Sequence, residues 1–168
     1  ANSPYAAFFF KDNGRAGGLL KKLPDAIGVF VNFQDGLRTD RIPKWHRDGT
    51  GFRLEYPGLY RVTAEVYAYQ AYSPVTVALQ QTNDKKGNAR MLGAFDLQAD
   101  ETKVLELIAY LEPDDYVYPS PYDLDQPKEG PSFGEAEGRA LTYGGEGFAI
   151  KWLAFDGPLV ETWPPPST

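Results

Sequence analysis

The stretch from Leu59 to Gln70, LYRVTAEVYAYQ, alternates between two kinds of side chain along its whole length. Tyr60, Val62, Ala64, Val66 and Ala68 fall on one side; Arg61, Thr63, Glu65, Tyr67 and Tyr69 fall on the other. Successive side chains of a strand point to opposite faces, so this pattern predicts a long β-strand buried on one face only. Its outer face carries two tyrosines beside an arginine and a glutamate.

Similar stretches recur between turn signals. Ile27 to Gln34 alternates and ends at the turn pair Asp35-Gly36. Phe52 to Tyr56 runs into Pro57-Gly58, a type II turn signature. Pro74 to Gln80 directs Val75, Val77 and Leu79 inward, and the polar loop 82–89 separates it from Met91 to Leu97 as a hairpin. Lys103 to Leu111 places Leu105, Leu107 and Leu111 on one face before Glu112-Pro113-Asp114-Asp115 turns the chain. Tyr116 to Pro119 is a short strand or edge piece, and positions 120–138 read as a long loop rich in Pro, Gly, Asp and Glu. Phe148 to Phe155 closes the series, with Trp152 assigned to the core. A helical turn is expected only around Arg15 to Leu23. Roughly seven to nine strands without crossover helices predict an all-β, antiparallel β-sandwich of jelly-roll type.

A chain of 168 residues is one domain by length, able to bury roughly 70% of its unfolded surface. Residues 1–162 are expected to form it, with 163–168 (WPPPST) as a Pro-rich linker into a longer protein. The formal charge of −6 argues against nucleic acid, which needs clustered Lys and Arg. The lack of cysteine removes disulfides, thiolate zinc sites, covalent haem attachment and thiol nucleophiles from this segment. No run approaches the ~20 apolar residues of a membrane helix. AAFFF at 6–10 is too short for one and lacks signal-peptide architecture.

Several aromatic groups lie beside polar ones in a way that suits a sugar, whose C–H face packs on a ring while its hydroxyls find polar partners. Tyr67 and Tyr69 share a face at ~6.6 Å spacing; the competing reading is that a loop or second layer covers them. Trp45, beside His46 and Arg47, either forms a platform in a loop or plugs one end of the sandwich. Tyr118, Tyr122 and Asp123 concentrate in YVYPSPYDLD, where two prolines pre-order the chain. The expected carbohydrate-binding set is Trp45, Tyr67, Tyr69, Tyr118 and Tyr122 for stacking, with Arg61, Glu65 and Asp123 for hydrogen bonds.

Catalytic signatures are missing. No carboxylate pair stands out for glycoside hydrolysis, there is no G-x-S-x-G, and Gly144-Gly145-x-Gly147 precedes a strand rather than a phosphate-binding helix. Glu112, Asp114, Asp115, Asp123 and Asp125 supply oxygens of the type calcium takes, but no D-x-D-x-D-G loop organises them, so solvated turn acids are the default. The expectation is a module with no catalytic residues and no cofactor, leaving structural calcium as a weak alternative.

Three segments, 52–70, 92–115 and 145–167, resemble a β-rich module of the very large planctomycete proteins that also carry c-type cytochrome domains. The closing motif is matched by Trp152, Gly157, Pro158, Leu159, Trp163, Pro164 and Pro165. Position 154 is alanine where that family has an acid, and the likeness is weak before Gly51. The resemblance implies an exported bacterial context, haem elsewhere in the parent protein and an accessory, non-catalytic role. The strand pattern is also similar to β-sandwich carbohydrate-binding modules. Together these readings predict a polysaccharide-binding module. The alternative is a structural module that packs on neighbouring domains and holds no glycan.

Overall fold

The structure is a computed structural model describing residues 5–9, 20–30, 56–83, 86–122, 124 and 144–159. Every regular element among them is a strand: β1 (Tyr5–Phe9), β2 (Leu20–Lys22), β3 (Ile27–Val29), β4 (Gly58–Tyr69), β5 (Val75–Asn83), β6 (Asn88–Leu97), β7 (Thr102–Leu111), β8 (Tyr116–Pro121) and β9 (Gly147–Asp156). All pairings are antiparallel. The larger sheet runs β2-β3-β9-β4-β7, with β1 beside the second half of β9, and the smaller runs β6-β5-β8. The fold is an antiparallel β-sandwich. Among the described residues no helix is long and apolar enough to cross a membrane.

The inward positions of the alternating strands meet between the sheets. Val62, Ala64, Val66, Leu105, Leu111, Phe148, Ile150, Leu153 and Phe155 pack against Val75, Val77, Leu79, Leu97 and Val117. Burial of each larger side chain contributes about 1.5–3 kcal/mol, which is what holds two twisted sheets face to face. Tyr60 belongs to this layer, and its hydroxyl donates to the Tyr56 carbonyl at 2.6 Å. Arg90 ties the sheets at one edge. Its Nε donates to Gln81 Oε1 at 3.1 Å and its Nη2 to the Tyr110 carbonyl at 2.7 Å.

Three sequence expectations are corrected. Leu20–Lys22, inside the expected helical turn, is a strand paired with β3; a single helical turn is costly to nucleate, whereas a neighbouring strand supplies backbone partners at once. Trp152 is not a core residue. The β4–β9 ladder pairs Glu65 with Trp152 but Val66 with Ile150, leaving Lys151 as the extra residue of a bulge. Beyond the bulge the faces exchange, so Leu153 and Phe155 point inward and Trp152 outward. At the Pro57-Gly58 pair, Gly58 does take positive φ, but at 154° rather than the ~80° of a type II turn, and a Cβ there would also sit 2.8 Å from Pro158 Cβ. A type II turn does occur at Glu112–Asp115. Pro113 precedes Asp114 at φ 75°, and the Asp115 amide donates to the Glu112 carbonyl at 3.0 Å.

Candidate functional site

The outer face of β4 carries Arg61, Glu65, Tyr67 and Tyr69, all half-buried, as its alternation demands. Their partners come from both neighbouring strands and from the β2–β3 turn. The Arg61 guanidinium lies between Glu106 (3.8 Å) and Asp156 (3.6 Å). Glu65 accepts from Trp152 Nε1 at 2.9 Å and pairs with Lys151 at 3.5 Å. The bulge thus brings Lys151 onto this face, where it also reaches Asp25 at 3.7 Å and lies 5.8 Å from the Tyr67 ring centre. The Tyr67 hydroxyl donates to Asp25 at 3.2 Å. Burial, followed by the neighbouring Asp25 carboxylate, pushes Tyr67 up to about 12.

This face is not an open platform. Leu23, Ala26 and Ala149 pack together with Tyr67 and Tyr69 against them. Phe30 tilts against the Tyr69 ring at 5.9 Å, and Lys21 stands 5.3 Å from its centre. Tyr67 and Tyr69 are thus partly covered from the second layer and remain half-exposed.

Aromatic rings more open to water lie elsewhere, Tyr56 (56% exposed) and Tyr110 (50%) among them. At the end where β4 passes into β5, Tyr72 is 81% exposed and Tyr122 is 56% exposed. Gln70 takes φ 54°, turning the chain out of β4, and its Nε2 donates to the Gly145 carbonyl at 2.9 Å. Glu146 then fixes the turn by accepting from the Tyr72 amide (3.0 Å), the Ser73 amide (2.9 Å) and the Ser73 hydroxyl (2.8 Å). Partial burial pushes the Glu146 pKa up, but these hydrogen bonds outweigh it and hold the carboxyl below its ordinary value. Tyr122 is placed by its amide, which donates to the Thr76 carbonyl at 2.9 Å. On the other side of β5, the Thr76 hydroxyl donates to Asp96 at 2.7 Å. Asp96, Thr76 and Tyr122 are thus set side by side across the smaller sheet, close to the Tyr72 turn.

Tyr118 does not join this rim. It is 6% exposed and belongs to the hydrophobic core, paired with Gln80 in the β5–β8 ladder. Trp45 and Asp123 lie outside the described residues. Sequence reading missed Tyr72, although a tyrosine stranded between two strands, outside either alternation, was the available signal. Of the turn acids, Asp115 is used internally, accepting from Asn83 Nδ2 and from the Glu112 amide, each at 2.7 Å. Among the described residues no group of three or more His, Cys, Asp or Glu is placed to hold a metal ion.

No family model matches the chain, and a search of curated proteins finds no match either. Solved structures do match. The chain is similar to the C-terminal CBM6 of LamC, a marine laminarinase from Zobellia galactanivorans, at 10% identity and TM-score 0.51, covering 92% of this chain and 100% of that one. It is similar to the CBM22-1 xylan-binding domain of Paenibacillus barcinonensis Xyn10C at 7% identity and TM-score 0.55, covering 92% and 95%. The fold is that of carbohydrate-binding β-sandwiches. It is not confined to them: the TNF Eiger of S. frugiperda matches at 12% identity and TM-score 0.50, covering 93% and 92%.

Proposed function

We propose that this chain is a non-catalytic polysaccharide-binding module whose contact surface is the rim carrying Tyr72 and Tyr122. The carrying observation is that these two rings stand in water at one end of a sandwich shared with carbohydrate-binding modules, beside Ser73, Thr76, Asp96 and Glu146. Each ring packs on a sugar C–H face for about 1 kcal/mol, so a lone module binds weakly, in the micromolar-to-millimolar range. Such affinity serves a parent chain that gains avidity from several contacts. An exported bacterial multidomain parent, with haem in other domains, is part of this proposal and rests on the family resemblance. Affinity electrophoresis through gels containing β-glucan, xylan or pectin tests the binding. Retardation by at least one glycan is the expected outcome, and migration unchanged by every gel refutes the reading.

A second reading has its own support. Val104, Ile108 and Tyr110 are exposed along the outer face of β7, the last strand in the order of the larger sheet. Val104 and Ile108 offer a sugar neither ring nor hydrogen bond, and with Tyr110 beside them they suit a protein neighbour. On that reading Ile108→Asp disrupts docking onto an adjacent domain and leaves glycan retardation untouched.

A further inference from the structure

We infer that the rim selects uncharged glycan chains and rejects polyuronates, an inference that rests on the rim being a sugar site. Four carboxylates lie at the end of the sandwich that carries the two rings. Glu146 holds the Tyr72 turn, and Asp96 lies across Thr76 from Tyr122. Asp100 and Glu101 occupy the β6–β7 turn, whose Glu101 carbonyl accepts from the Ala68 amide at 3.2 Å, so this turn sits at the same end. The described cations nearby are Lys103, 3.4 Å from the Asp96 carbonyl, and Lys21, over the Tyr69 ring. The balance is acidic, and the whole chain adds a formal charge of −6.

An ionised carboxylate only accepts hydrogen bonds. The hydroxyls of a neutral glycan can donate to it, whereas a uronate offers an acceptor-only group of the same sign at every sugar. Repulsion between such charges reaches over a Debye length of about 8 Å at physiological salt and further at low salt. Like-charge juxtaposition of this kind excludes a ligand more effectively than lost contacts do.

The test uses the intact protein in gels of mixed-linkage β-glucan, xylan or polygalacturonate, at low salt and at about 0.15 M. A neutral glycan retards the wild type, Tyr72→Ala and Tyr122→Ala each weaken that retention about fivefold, and polygalacturonate has no effect at low salt. Asp100→Lys, at an exposed position, gains low-salt retention by polygalacturonate that the wild type lacks. Wild type retained by polygalacturonate as strongly as by a neutral glycan overturns the selectivity while leaving the sugar site standing. If no gel retards the protein, or neither tyrosine substitution changes a retention that is seen, the rim reading itself fails and the selectivity falls with it.

Discussion

Tyr118 and Tyr122 stand four positions apart at β8, yet one is 6% exposed and the other 56%. Substitution should separate them. Tyr118→Ala opens a cavity in the core and is expected to cost about 3 kcal/mol, read as a large fall in melting temperature. Tyr122→Ala should leave melting unchanged while weakening glycan retention. If Tyr118→Ala instead melts like wild type, its burial is misjudged. Tyr67 makes a different prediction, in alkali. Its ordinary value is 10.0 and the folded value about 12, so above pH 10 the unfolded chain loses a proton that the folded chain keeps. Its stabilising contribution is complete below pH 10 and disappears as pH rises through 10–12. Tyr67→Phe should flatten the fall in stability over that window, as followed by denaturant unfolding. Alternation revealed which way Tyr67 and Tyr69 face, but not their cover. That cover comes from Leu23 and Ala26, some forty residues earlier, through contacts that no local pattern encodes.

Element by element, the strands with one wet face were the legible ones: β4, β7 and the first half of β5 match the expected alternation. β9 shows where period-two counting breaks down. Counting from Phe148 through Ile150 puts Trp152 inward, and only the pairing partner reveals that Lys151 is supernumerary. β1 and β2 were missed because three to five residues carry too little periodicity to distinguish a strand. The β4–β5 turn depends on a single acid. Glu146 has a depressed pKa, so its tie to Tyr72 and Ser73 is fully present above the ordinary value of 4.5 and is lost as pH falls through the lower folded value. Glu146→Gln should remove that acid-side loss in pH-dependent melts. It should also weaken sugar retention at neutral pH, because the turn carrying Tyr72 loses its charged anchor. Unchanged retention would show that the Tyr72 ring is positioned by other means.

At the scale of the molecule, two sheets are held by their apolar layer and, among the described residues, by polar crossings such as that of Arg90. Arg90→Ala leaves the 4%-exposed Gln81 short of a partner and frees the Tyr110 carbonyl. It is expected to cost about 1–2 kcal/mol in unfolding titrations without altering glycan retention, since this link lies away from the rim. A loss of retention in that variant would mean that the ends of the sandwich communicate. The bulge in β9 carries a genetic implication. Removing the Lys151 codon would make Glu65–Trp152 and Val66–Ile150 consecutive pairs and leave both halves of the ladder in step. Relatives could therefore differ in length at this point while keeping an indole on the surface. An aligner that forbids gaps inside strands would misplace every residue on one side of it.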